Sequence, residues 1–267
     1  MSRSAPAVIV VPCFNEAARL DIAAFRRFVE REPGIHFCFV NDGSTDDTAA
    51  VLHALCASAP RLLMLDLGKN RGKAEAVRRG VLHALTLHPE FVGYWDADLA
   101  TPLEAIPSLL DTVRQQPNLV LVMGARVRLL GRDIQRDELR HYVGRGMATL
   151  AALALRVRVY DTQCGAKVMR ADDRVAAAFR EPFRHRWLFD VELIARVFAA
   201  SPHLPPHTLV QEVPLTAWRD VAGSRVRLRD GLGALRELYR IWRSHRPVSG
   251  PRVVAHAVVQ QRQERHG

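Results

Sequence analysis

Cysteine is scarce in this chain and poorly spaced for a metal. Of 267 residues four are cysteine (Cys13, Cys38, Cys56 and Cys164), with no Cys-x-x-Cys pair, and three of them fall in apolar stretches. This excludes a disulfide framework and a zinc cluster and predicts reduced thiols in a cytosolic protein. The eleven histidines form no His-x-x-x-His cluster on a credible helix. Long hydrophobic runs are missing too. The longest, Met147 to Leu155, is far short of the roughly 20 residues a bilayer span requires. Val8 to Val11 is too short for a signal-peptide core and reads as a first strand. Neither Gly144-Arg145-Gly146 nor Gly231-Leu232-Gly233 has the third glycine of a dinucleotide fingerprint, and neither follows a strand, which argues against a nicotinamide-linked dehydrogenase. Lysine is almost absent, with three among 38 basic residues. No zinc-finger, helix-turn-helix or RNP pattern occurs, and the aromatics do not interleave with the basic residues. Nucleic acid is therefore not an expected partner.

What is present is a 48% hydrophobic chain, long enough for one full core. Its charge is lopsided: residues 1–120 sum to −2 and residues 121–267 to +12. A basic second half calls for an anionic partner such as a phospholipid surface or a phosphorylated substrate. In the first half strand-like and helix-like segments alternate. The expected strands are Ala7–Val11, Phe37–Val40, Leu62–Leu65, Phe91–Trp95 and Leu119–Met123. Between them fall helices over Glu16–Glu30, Asp46–Cys56 (capped by Ser44 or Thr45), Ala74–Leu87 and Leu103–Val113, with Pro102 suited to the first turn of the last. This rhythm predicts an α/β fold with a mostly parallel sheet, helices on both faces and ligand loops along one edge.

Each early strand ends in polar residues that would meet on that edge. They are Pro12-Cys13-Phe14-Asn15-Glu16, then Asn41-Asp42-Gly43-Ser44-Thr45-Asp46, then Gly68-Lys69-Asn70-Arg71-Gly72-Lys73, then Asp96-Ala97-Asp98. Turn chemistry alone would account for any one of them. Four in succession point to a crevice with helix N-termini and a lysine for phosphates. Asp96 and Asp98, two carboxylates one residue apart at a strand end, suit Mg²⁺ or Mn²⁺ held by few protein ligands plus substrate phosphates.

These stretches resemble family 2 glycosyltransferases, which have the nucleotide-sugar-binding GT-A fold. Second-half motifs narrow the resemblance to the dolichyl-phosphate β-glucosyltransferase group. They are Asp161-Thr162-Gln163-Cys164-Gly165-Ala166-Lys167, Arg186-Trp187-Leu188-Phe189-Asp190-Val191-Glu192-Leu193, and Glu212-Val213-Pro214 with Trp218 and Gly223-Ser224-Arg225. Ala166 departs from the group, which usually carries an aromatic there. The resemblance implies an inverting, metal-dependent transfer of a hexose, glucose from UDP-glucose, to a polyprenyl phosphate. It implies that Asp42 accepts a hydrogen bond from the uracil and that Pro12, Asn15 and Glu16 border base and ribose. Asp96 would reach the ribose or a metal-bound water and Asp98 would hold the metal. Gly43, Ala97 and Ser224 would line the donor site, with Lys73 and Arg225 adding positive charge at the diphosphate.

The second half is expected to receive the acceptor, with Arg126, Arg128, Arg145 and Lys167 as cations and Trp187 and Trp218 as aromatic contacts. A phosphate monoester already carries about −1.5 to −2 charge at neutral pH and needs no strong base. A hydroxyl acceptor, the alternative, needs one: Asp190 first, Asp161 second. A nucleotide-sugar-binding protein without catalysis is the distant alternative. Arg145–Arg158 and Gly231–Arg246 (with Leu238 and Trp242) are basic amphipathic stretches suited to a membrane surface, and equally to core packing. The expected organisation is a single catalytic domain over 1–246, with a nucleotide-sugar-binding half (7–124), an acceptor half (125–246) and a polar tail (247–267). The expected location is the cytoplasm, with contact at the cytoplasmic face of the membrane.

Overall fold

The first strand, β1 (Ala7–Cys13), is almost wholly buried, and its side chains divide by parity. Ala7, Ile9 and Val11 enter one core and Val8 and Val10 another, as the twofold period of a strand requires. A strand apolar on both faces belongs inside a sheet covered by helices on either side. The computed structural model, which describes residues 7–135, 138–221, 237–240 and 243, has that architecture. In chain order follow α1 (Ile22–Arg31), β2 (Ile35–Asn41), α2 (Thr48–Ala57), β3 (Leu62–Asp66), α3 (Lys73–Leu85), β4 (Phe91–Trp95), α4 (Ala105–Gln115) and β5 (Leu121–Ala125). Then come β6 (Asp133–Gln135), α5 (Glu138–Leu155), β7 (Ala166–Arg170), α6 (Asp173–Arg180), α7 (Phe189–Ala199), α8 (Pro206–Leu209), β8 (Val210–Pro214) and β9 (Ala217–Arg219).

The main sheet runs β3-β2-β1-β4-β7-β5-β8, with β6 and β9 paired apart from it. Only β7 is reversed, antiparallel to both β4 and β5. Helices α1, α2 and α4 cover one face, around Phe25, Phe28, Leu52, Leu55 and Ile106. Helices α3, α5, α6 and α7 cover the other, around Val77, Val81, Phe179 and Leu193. Because β2 and β4 flank β1 on opposite sides, the chain reverses its direction of travel at β1. That reversal opens a crevice at the carboxyl ends of β1 and β4. The reversed β7 begins where β4 ends, so the loop before it (residues 161–165) meets the Asp96 loop across Trp95↔Ala166.

Several boundaries differ from the sequence expectation. Residues 16–20 form a turn, closed by Leu20 N–H to Glu16 O at 2.9 Å, so α1 starts only after Asp21, whose carboxylate caps Ala24 N–H at 2.9 Å. Ser44 and Thr45 do not cap α2, because they bond to Asn15; Asp46 takes the Thr48 amide instead, at 3.0 Å. Pro102 lies ahead of α4, in a turn whose Thr101 carbonyl accepts from the Trp95 indole at 2.8 Å. Residues 222–236, Trp242 and the tail from 244 fall outside the described residues, and with them Ser224, Arg225 and most of the Gly231–Arg246 stretch. Leu238 of that stretch is described and packs in the core at 5% exposure, so core packing and not lipid contact holds for it.

Candidate active site

Three loops of the crevice are tied to one another through side chains. After β1, Asn15 takes the left-handed conformation (φ 54°), which asparagine tolerates better than most residues. Its amide donates to Ser44 Oγ at 3.0 Å, and its Oδ1 accepts from Thr45 N–H at 2.8 Å. Thr48 Oγ1 accepts from the Glu16 and Ala17 amides. Pro12, Asn15 and Glu16 are thereby held, half-buried, against the loop after β2. In that loop Gly43 (φ +63°) approaches the next so closely that a Cβ would lie 2.3 Å from the Lys69 carbonyl carbon.

Asp42 is almost fully buried, at 2% exposure. Its carboxylate accepts from Arg71 N–H at 2.7 Å and Gly72 N–H at 2.8 Å, one bond to each oxygen. The same carboxylate expected to meet the base thus also fixes the loop that launches α3. Lys73, the first residue of that helix, forms an ion pair with Asp96 Oδ1. Burial opposes the Lys73 charge, but the carboxylates of Asp96, Asp190 and Asp98 outweigh it and hold its pKa above the ordinary value.

The Asp96 loop rests on the loop before β7. Asp96 N–H donates to Gly165 O at 3.0 Å, and a Cβ on Gly165 would lie 1.9 Å from Asp96 Oδ2, so only glycine leaves room for the carboxylate. Ala97 is buried, and Asp98 Oδ1 accepts from Ala100 N–H at 3.1 Å. Leu99 takes φ 52°, a strained conformation for a side chain of that size. Burial, and then the charge of Asp96, raises the Asp98 pKa. Two hard carboxylates crowded in this way, one reluctant to ionise beside the other, fit a divalent cation. Among the described residues no group of three or more His, Cys, Asp or Glu is arranged to hold a metal.

Beneath this crevice lies a buried ion pair. Lys167 on β7 is completely buried and donates to Thr162 O (3.0 Å), Cys164 O (2.6 Å) and Asp190 Oδ1 (2.8 Å). Asp190, near the start of α7, also accepts a hydrogen bond from the Tyr94 hydroxyl. Tyr94 and Lys167 are direct cross-strand partners. Burial, followed by the Asp190 charge, pushes the Tyr94 pKa well up. Asp190 is thus a buried, paired carboxylate inside the first turn of α7, with Leu188 preceding the helix as its cap.

A second network lies at the end of β5. Arg126 makes a bidentate pair with Asp161, at 2.6 and 2.8 Å, and its guanidinium lies 5.3 Å from the Trp218 ring centre. Glu212 in turn accepts from the Tyr160 and Asp161 amides, at distances from 2.6 Å. Arg126 and Asp161 are therefore engaged with each other, and Trp218, at 8% exposure, is packed under Arg126. Trp187 is open at 41% exposure, Arg128 is exposed, and Arg145 lies on α5.

The sequence reading assigned no site function to Tyr94, Gly165 or Arg186. The guanidinium of Arg186 lies against the α3 N-terminus, 2.9 Å from where a Gly72 Cβ would be. The signal for Lys167 was legible: a lone lysine inside Ala166–Met169 must be buried, and a buried lysine needs a carboxylate. Tyr94 carried a weaker one, since it looks like any aromatic of a core strand.

Residues 8–174 match the family model described as Glycosyl transferase family 2. The dolichyl-phosphate beta-glucosyltransferase ALG5C of Trichomonas vaginalis is 31% identical over 233 residues, 82% of this chain and 65% of the relative. The human dolichyl-phosphate beta-glucosyltransferase is 28% identical over 235 residues, 82% of this chain and 68% of the relative. The chain thus spans about two thirds of the length of these curated relatives. Among solved structures, glucosyl-3-phosphoglycerate synthase of Mycobacterium tuberculosis, in complex with Mn²⁺ and UDP-glucose, superposes with a TM-score of 0.62. That match covers 91% of this chain and 80% of the neighbour at 19% identity, a likeness of fold.

Proposed function

The chain belongs to glycosyl transferase family 2, and on that footing we propose that it moves glucose from UDP-glucose to a polyprenyl phosphate with inversion. The relatives named as dolichyl-phosphate glucosyltransferases support the acceptor, and the GT-A neighbour crystallised with Mn²⁺ and UDP-glucose supports the donor. The observation that carries the reading is the state of the two candidate bases. Asp190 is engaged by Lys167 and Tyr94, and Asp161 by Arg126. A carboxylate paired with a buried cation is a weaker base toward a hydroxyl than a solitary one. An acceptor phosphate brings its own negative oxygen and attacks without losing a proton.

In this reading the loops after β1 and β2 receive base and ribose through Pro12, Asn15, Glu16 and Gly43. Asp42 keeps the α3 loop in register with them. Asp98, assisted by Asp96, would hold Mg²⁺ or Mn²⁺, which neutralises the charge that grows on the departing nucleoside diphosphate. Lys73, the first residue of α3, and Arg186, whose guanidinium reaches that helix's N-terminus from the loop before α7, add positive charge beside it, where the helix N-terminus also favours phosphate. The Lys167–Asp190–Tyr94 cluster forms a rigid floor under the reacting carbon. Trp187 and Arg128 are the exposed candidates for the acceptor.

No described helix is long and apolar enough to cross a membrane. Leu150 and Leu153 of α5 are exposed, at 37% and 66%, beyond a buried face of Ala148, Ala151 and Ala154. That exposed edge is the part of the α5 stretch suited to a peripheral membrane contact.

A donor screen reading nucleotide release, with and without polyprenyl phosphate and Mg²⁺ or Mn²⁺, tests the proposal. Release that requires UDP-glucose, the lipid phosphate and the metal together is expected. Turnover with a hydroxyl acceptor but not with the phosphate would overturn it.

A further inference from the structure

The donor crevice contains a positive charge of its own at the carboxylate expected to face the metal. Lys73 is the first residue of α3, its backbone is set by the grip of Asp42 on Arg71 and Gly72, and its ammonium pairs with Asp96 Oδ1. Asp96 is held on its backbone side. Its amide is held by Gly165 O, and its carboxylate lies over a glycine with no room behind it. The lysine has room to move, because 43% of its side chain is exposed. Lys167, by contrast, is fully buried and spends its ammonium on three oxygens.

Resting on the donor reading above, we propose that Lys73 is a resident counter-ion of Asp96, and that it is displaced when donor and metal bind together. A divalent cation arriving alone must compete with an ammonium already paired to the carboxylate, and like charges at that separation repel strongly outside bulk water. A nucleoside diphosphate changes the balance, because its oxygens give Lys73 a second anionic partner at the α3 N-terminus and release Asp96. Metal and nucleotide then bind with strong positive coupling, which is reciprocal by linkage.

The test is direct binding and needs no turnover. Free Mn²⁺ is followed by electron paramagnetic resonance in titrations of wild type, Lys73→Gln and Lys73→Arg, with and without UDP, at fixed ionic strength. Lys73→Gln is expected to bind Mn²⁺ alone about tenfold more tightly than wild type, and to lose most of the coupling to UDP. Lys73→Arg, which keeps the cation, is expected to follow wild type. Adding Asp96→Asn to Lys73→Gln is expected to abolish the gain. If wild type binds Mn²⁺ as tightly alone as with UDP, or if Lys73→Gln shows no gain while UDP and Mn²⁺ still bind together, the counter-ion is refuted and the donor site stands. If wild type takes up no UDP in the presence of Mn²⁺, both readings fall.

Discussion

Lys73 and Lys167 each pair with an aspartate close to the same crevice, and the two pairs lie in opposite settings. Around Lys73 the charges are carried on loops, partly exposed, and tied together through backbone amides that Asn15, Asp42 and Gly165 hold in place. Around Lys167 they lie inside the protein, where Tyr94, Asp190 and the carbonyls of 162 and 164 use every available proton. An exposed ion pair contributes little to stability and exchanges partners readily. A buried one is costly to break, because the surviving charge is stranded. The upper region therefore has the properties of a binding surface and the lower those of a fixed support. The +12 charge of the second half is misleading in this respect, since Arg126 and Lys167, two of its candidate acceptor cations, are already neutralised.

The sharpest way to break this contrast is at the support. Lys167→Met strands Asp190 and is expected to lower unfolding free energy by about 3–5 kcal/mol, measured by urea denaturation. Asp190→Asn in the same chain should recover part of that loss. A drop as small as that of an exposed pair would put Lys167 in the same class as Lys73.

At the join between the regions, Gly165→Ala drives a methyl into the Asp96 carboxylate and is expected to weaken UDP binding in Mn²⁺ by about 2 kcal/mol, as overpacking does elsewhere. Calorimetric titration checks this, and unchanged affinity would uncouple the two loops. In the upper region, Asp42→Ala releases two amides and should weaken UDP by about 1–2 kcal/mol, with Asp42→Asn intermediate. A loss confined to thermal stability would return Asp42 to the status of a structural residue.

The smallest effect is expected at the seam between α3 and α6. Hydrogen bonds from Arg78 and then Arg79 pull the Glu75 pKa down to about 2, and Arg78 also donates to Phe179 O and Arg180 O. A depressed acid stabilises the fold above its ordinary value of 4.5 and ceases to do so as pH falls through about 2. Glu75→Gln should therefore cost under about 1 kcal/mol at pH 7, discounted for solvent screening, with the gap closing toward acid. A gap independent of pH would show that packing, not charge, joins the two helices.

The donor side was the more legible in sequence because its signals are local. Strand, polar cluster and helix follow one another within about ten residues, and Asp, Asn and Gly mark where each strand stops. The mostly parallel sheet followed from that rhythm. The support is built from residues far apart in the chain: Tyr94, Lys167 and Asp190 meet only because β7 runs backwards between β4 and β5. Periodicity does not reveal a single reversed strand, and so the partners of Asp190 could not be read from the sequence. Helix starts were misplaced for a related reason. Ser44 and Thr45 have the composition of caps, but Asn15, some thirty residues earlier, claims them.

The reversed strand also sets the order in which the molecule can be built. While residues 7–95 are leaving the ribosome, β1 to β4 can pair among themselves, but the outer edge of β4 stays bare until residues 166–170 emerge. A bare, apolar edge invites pairing with another chain. Closing it waits on a contact of high sequence separation, which slows folding. The loop that seats Asp96 arrives with that same strand. A nascent chain therefore passes through an interval in which most of the nucleotide-side sheet is formed while its acidic loop is unsupported, and chaperone dependence should be concentrated in that interval.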